Sequence, residues 1–138
     1  MRNYPGVHRK TGYLYIITVL FVSGPSAFIM SLYATGGYIT QVSFVTLTIL
    51  WILFTIQALR VVKKGAYDNH VKWMIRSYAL TLSAVTLRFY AYLFDYFNLD
   101  ISPRETYTII AYMSWIPNLV FAEFLIRKGY VHYLLRGR

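Results

Sequence analysis

"HVKWMIRSYALTLSAVTLRFYAYLF", residues 70–94, is an apolar stretch of membrane-crossing length with an arginine, Arg88, well inside it. About 20 residues of helix cross roughly 30 Å of hydrocarbon at 1.5 Å per residue. Working outward, similar apolar runs occupy residues 12–34, 42–62 and 106–126, and with 71–94 they make four candidate spans. Of the 138 residues, 57% are hydrophobic and 19% aromatic. Only 14% are charged, against about 25% in a soluble domain. One soluble core would leave most of that apolar surface unburied. The pattern predicts an all-α integral membrane protein, an antiparallel four-helix bundle forming one transmembrane domain, with no repeat or linker.

The first run follows "HRK" at residues 8–10 and resembles a signal peptide in position. It is too long for a signal h-region and no A-x-A-like site closes it, so it is expected to stay as an anchor. Gly24-Pro25 falls inside it and predicts a kink, because proline removes one backbone donor. Ser23, Ala27 and Ser31 recur every fourth residue and offer a small face for close helix approach. Pro103 is placed to start the last helix. The tail "RKGYVHYLLRGR", residues 127–138, mixes basic and apolar residues, as an amphipathic interfacial segment would.

Charge sets the expected orientation. Twelve of the fourteen Lys and Arg residues fall at the N-terminus, the turn around residues 63–70, the adjoining helix ends and the C-terminal tail. The opposite side has only Arg104, with Arg88 left inside a span. By the positive-inside rule both termini are cytoplasmic. The net charge of +9 flanks apolar spans rather than forming a basic domain. It is therefore read as topology and contact with anionic lipid on the cytoplasmic side, not as a nucleic-acid surface. The absence of cysteine excludes disulfides, thiolate metal sites and thiol catalysis.

The candidate chemistry lies in a few polar residues. His8 and His70 each precede a span at similar depth, where two imidazoles on facing helices would ligate haem iron, or with His132 a metal. Their alternative role is that of ordinary interfacial histidines. Glu123 is the one carboxylate inside a span, with Arg127 at i+4 and Arg76 at matching depth on the third helix; either would neutralise it. Asn118 follows Pro117, which frees a carbonyl one turn back, so its amide is placed to bond across helices. Ser77, Thr81, Ala84 and Arg88 share one helical face, expected to point into the bundle. Arg88 is then expected to stack on Tyr112 or Trp115, snorkel to Asp95, or meet an anionic or carbonyl-bearing ligand. The tyrosines of the third and fourth helices (Tyr90, Tyr92, Tyr96, Tyr107, Tyr112) form a crowd that suits the interfacial belt or a quinone pocket.

At "HRKTGYLY" (8–15), "SGPSAF" (23–28), "HVKWMIRSYALTLSAVTLRFY" (70–90) and "WIPNLVFAEFLIRK" (115–128) the chain resembles the DUF2306 family of predicted bacterial membrane proteins. The resemblance implies a multi-pass fold in a cell membrane, the inner membrane if the source is bacterial, without an established reaction. It singles out His8, Arg9, Gly12, Tyr13, His70, Trp73, Met74, Arg76, Arg88, Pro117, Asn118 and Glu123. Family members commonly carry a further N-terminal hydrophobic region with another histidine.

Two functions are therefore expected. One is a non-catalytic subunit or scaffold of a membrane complex, in which intramembrane polar groups fix packing with itself or with other subunits. The other is an electron-transfer subunit holding haem or quinone near His8 and His70. Its wider binding set would be Arg76, Arg88, Trp115, Asn118 and Glu123.

Overall fold

The computed structural model describes residues 5–97 and 101–129. The chain forms four long helical segments, with no strand among the described residues. The first runs through α1 (Pro5–Ile17), a π-helical stretch (Thr18–Ser23) and α2 (Gly24–Leu32). The second is α3 (Tyr38–Lys63) and the third α4 (Tyr67–Tyr96). The fourth is α5 (Pro103–Met113) followed by α6 (Ile116–Arg127).

Three segments, Gly6–Leu32, Tyr38–Lys63 and Pro103–Arg127, are long and apolar enough to cross a membrane. α4 has the length, at 30 residues, but carries Asp68, Lys72, Arg76, Arg88 and Asp95 and is not apolar enough by itself. The sequence reading of four equivalent spans thus becomes three self-sufficient ones and one whose charges need company. The helices also begin earlier than the apolar runs, at Pro5, Tyr38 and Tyr67 rather than near residues 12, 42 and 71. Apolarity marks the hydrocarbon, whereas backbone hydrogen bonding carries a helix on into the interface.

Cross-contacts give the directions. Gln41 reaches the Ala34 carbonyl while Ile52 packs at Gly24, so α3 runs antiparallel to α2. Trp51 bonds to Thr81 and Thr55 to Ser77, which sets α4 antiparallel to α3. Asn118 meets Thr86 and Glu123 meets Arg76, so the fourth segment runs back along α4. The fourth segment packs against both α3 and α4. The first packs on α3, and α1 comes nowhere within 8 Å of α4, Cα to Cα.

Small residues make these approaches possible. The buried positions of α3 are Thr40, Ser43, Thr48, Thr55 and Ala58, and those of α4 are Ser77, Leu80 and Ser83. Without a hydrophobic drive inside lipid, such residues let helices pack closely, and their hydroxyls are satisfied locally. Thr48, Thr55 and Ser83 donate to carbonyls three or four residues back. Gly24 is required: a Cβ there would sit 2.6 Å from the Val19 carbonyl oxygen and 3.0 Å from Ile52 on α3. Where a kink is expected at Gly24-Pro25, the helix carries a π-helical stretch just before it. Gly24 N–H donates to Val19 O, five residues back, widening the turn that Pro25 would otherwise crowd.

The fourth segment breaks at Ser114–Trp115 because Pro117 supplies no N–H for the helix to continue. Its start is well specified, as expected of Pro103. Ser102 Oγ accepts from the Glu105 N–H at 3.3 Å and donates to the Glu105 carboxylate at 2.8 Å, a reciprocal cap with Pro103 at the first turn. At the same end Arg104 Nε donates to Gly36 O at 3.3 Å. Gly36 and Gly37 hold φ of 105° and 92° in the turn between α2 and α3, a backbone region other residues rarely adopt. The tail beyond residue 129, with His132, and the connection at residues 98–100 lie outside the described residues.

Candidate functional site

The polar residues gather in two layers, one toward the end bearing the Lys63–Lys64 turn and one near mid-depth. In the first, Arg76 on α4 meets Glu123 on α6 in a bidentate pair, Nε–Oε1 2.5 Å and Nη2–Oε2 3.1 Å. The i,i+4 alternative with Arg127 is not the one used. The Arg76 guanidinium also lies 4.6 Å over the Trp73 ring, and Trp73 packs on Phe54 of α3 with centroids 5.4 Å apart. A stack from Phe54 through Trp73 and Arg76 to Glu123 thus ties three segments together. The two charges are partly buried, at 20% and 36% exposure. Such a pair suits a depth where either charge alone would cost several kcal/mol.

One turn below Trp73, His70 Nδ1 lies 2.8 Å from the Ala58 carbonyl of α3. A carbonyl only accepts, so Nδ1 carries the proton, which leaves Nε2 with its lone pair in the neutral ring. His8 is exposed on α1, and its carbonyl accepts from Thr11 Oγ1. No hydrogen bond joins His8 to His70, and the α1 and α4 backbones stay more than 8 Å apart, Cα to Cα. Among the described residues no three His, Asp or Glu side chains cluster as a metal site would require.

The second layer was not legible in the sequence as a unit. Tyr15 of α1 reaches across to α4, its hydroxyl 2.8 Å from both Ser77 Oγ and Thr81 Oγ1. Trp51 Nε1 donates to Thr81 Oγ1 at 3.0 Å, and Thr55 and Ser77 hydroxyls meet at 2.8 Å. The Tyr15 ring rests against Tyr78 with centroids 4.9 Å apart. Five side chains from three segments therefore close one hydrogen-bonded network. Only a threonine–serine face on α4 hinted at it, because the partners come from distant helices.

On the other flank of α4, Asn118 Nδ2 donates to Thr86 Oγ1 (2.7 Å), Ser114 O (3.0 Å) and Ala79 O (3.4 Å). The cross-helix role expected after Pro117 is thus observed, with Ser114 O at the helix break covered by the side chain. Asn118 lines an open, largely apolar groove of about 320 Å³ between α4 and α6, with Tyr78, Leu82 and Phe121. Trp115 is buried and donates through Nε1 to Ser43 Oγ at 3.1 Å.

Arg88 departs from the expectation. It is exposed, as is Ala84 on the same face, rather than pointing into the bundle. Neither expected aromatic partner is available, since Trp115 bonds to Ser43 and Tyr112 to Ile39 O. The reason is rotational: α4 turns Arg76, Ala79 and Thr86 toward the fourth segment, and Arg88 falls on the Ser77–Thr81 side, which Tyr15 of α1 meets. Nor does it snorkel to Asp95. Its Nη1 turns back to Ala84 O at 3.5 Å, because Cα–Cβ bonds lean toward a helix N-terminus.

These four segments carry their family's mark from end to end. A family model described as "Predicted membrane protein (DUF2306)" matches residues 1–126. The chain belongs to the DUF2306 family. No curated protein and no solved structure matches it. Among the positions that the family resemblance singles out, His70, Trp73 and Arg76 line one end of α4 with Glu123 beside them. Pro117 and Asn118 form the break in the fourth segment. His8 and Arg88 stand apart from both groups.

Proposed function

We propose that this DUF2306 chain is a non-catalytic subunit or scaffold of a membrane complex. What carries the reading is the way its polar groups are spent. No buried side-chain nitrogen or oxygen among the described residues lacks a hydrogen-bond partner, and the one carboxylate inside a span is held by Arg76. These groups fasten helices to one another and leave an exposed cation, Arg88, for something outside. Both termini are placed in the cytoplasm by the positive-inside rule, with anionic lipid against the basic end. Reporter fusions after Ala66 and Arg138 are then cytoplasmic and one after Asp100 is not; a cytoplasmic reporter at Asp100 would overturn the orientation. For the subunit role, mild-detergent extraction from native membranes and native electrophoresis should give a species containing a second polypeptide in constant ratio. Migration of the 16.1 kDa chain alone, or only with copies of itself, would refute it.

A second reading, a haem- or quinone-binding electron-transfer subunit with its site near His8 and His70, has one observation in its favour. An imidazole that ligates a metal usually gives its other N–H to a carbonyl or carboxylate, and His70 does so to Ala58. Purified protein should then show a stoichiometric haem spectrum or metal that His70→Ala removes. Its absence in wild type ends that reading.

A further inference from the structure

α4 is about 45 Å long at 1.5 Å per residue, and its midpoint falls between Thr81 and Leu82. The midpoint of α3 falls at Leu50–Trp51, and the Trp51–Thr81 hydrogen bond sets the two at one level. Taking the helix midpoints as the middle of the bilayer puts the midplane close to this bond. Arg88 Cα stands about 10 Å above it, inside a hydrocarbon half-thickness of about 15 Å. Its guanidinium turns back toward Ala84 and the midplane, away from the nearer headgroups. Of its five N–H donors, one makes a 3.5 Å contact with its own helix. Among the described residues nothing else meets it.

The chain's own carboxylates do not supply the missing acceptor at this depth. Glu123 is held by Arg76 and Glu105 is engaged at the Ser102 cap. Asp68 and Asp95 lie in the first and last turns of α4, and Asp100 lies between α4 and α5 in sequence. A second copy would bring the same set. The surface around Arg88 is shaped for a helix: Thr81, Ala84 and Ala91 are exposed and small on the flank where α2 leans onto α3 and leaves α4 uncovered. Small residues admit a close backbone, and a desolvated guanidinium takes a carboxylate bidentately.

We infer that the Thr81–Ala84–Arg88 face of α4 docks a transmembrane helix of another protein that carries a carboxylate about 5–10 Å from the membrane midplane. The inference rests on the subunit reading and names the partner's chemistry. It is tested with the full chain in phosphatidylcholine nanodiscs, labelled with a donor fluorophore through Thr35→Cys. The probes are two acceptor-labelled leucine–alanine transmembrane peptides, identical except for one Glu or one Gln at that depth, measured at pH 8. The Glu peptide should associate at least tenfold more tightly than the Gln peptide with wild type and show no preference with Arg88→Gln. Arg88→Gln should keep its helix content and melting temperature, since Arg88 makes one long contact in the fold. Equal association of both peptides with wild type overturns the inference. So does loss of the Glu preference on adding phosphatidylglycerol, which would make a lipid phosphate the occupant. The native complex expected of a subunit separates the two claims: if it forms unchanged with Arg88→Gln, the subunit reading stands and this docking face is wrong.

Discussion

Glu123→Gln isolates the Arg76–Glu123 pair with almost no change in shape. Gln keeps one oxygen able to accept from Arg76 Nε but loses the negative charge and the second acceptor. Removing one partner from a fully buried pair costs about 3–5 kcal/mol, because the other charge is stranded. An exposed pair is worth about 0–1 kcal/mol. With exposures of 20% and 36%, the pair is only partly enclosed by the protein and lies between these limits. About 1.5–3 kcal/mol is expected for Glu123→Gln. Arg76→Met should cost slightly more, since it also removes the contact over Trp73, worth about 0.5–1 kcal/mol. The double variant Arg76→Met/Glu123→Met should return to within about 1 kcal/mol of wild type, because both desolvation penalties disappear together. Reversible unfolding in mixed SDS micelles, followed by helical circular dichroism, measures all four corners of the cycle. If the two single costs simply add in the double variant, the pair contributes no coupling and the reasoning fails.

Other expectations concern the remaining contacts. Tyr15→Phe keeps the ring against Tyr78 but removes the bonds to Ser77 and Thr81; it should cost about 1–2 kcal/mol in the same assay and speed hydrogen exchange in α1. An unchanged exchange rate would mean Tyr15 does not tether the first segment. Gly24→Ala puts a methyl 2.6 Å from Val19 O and 3.0 Å from Ile52; overpacking of this kind costs about 1–3 kcal/mol and should widen the α2–α3 spacing seen by spin-label distances. A stability equal to wild type would count against the close approach. Asn118→Leu leaves Ser114 O uncovered at the helix break and should cost about 1–3 kcal/mol, whereas Asn118→Gln should recover part of it. Equal losses from both would point to shape rather than hydrogen bonding.

Sequence patterning pointed to the segment count, a helix irregularity at Gly24-Pro25, the cap at Pro103 and the alternative partners of Glu123. Each depends on residues within a turn or two, or on a charge too costly to leave alone. What it missed needed helix rotation. A face of Ser77, Thr81, Ala84 and Arg88 is the same stripe whether it looks inward or outward, and periodicity cannot distinguish them. The stripe in fact straddles the boundary: Ser77 is buried, while Thr81 bonds to Tyr15 and Trp51 although exposed, and Arg88 is open. Likewise Trp115 read as a stacking platform because its depth was right. Its direction was set by Ser43, far away in sequence.

The ion pair also sets an order of events during synthesis. Arg76 and Glu123 are 47 residues apart, which a ribosome adding about 5–20 residues per second covers in roughly 2–10 s. Glu123 follows Arg76 out of the exit tunnel after that same interval, so α4 emerges with its counter-charge still to come. Each uncompensated arginine at mid-helix opposes partitioning into lipid by about 2.5–3.5 kcal/mol. α4 therefore waits beside the translocon or at the bilayer surface and enters together with the fourth segment as one hairpin. Nascent chains extended by a linker and arrested with Met113 just clear of the exit tunnel should leave α4 open to water-soluble labelling reagents, and those arrested with Glu123 well clear of it should close it off.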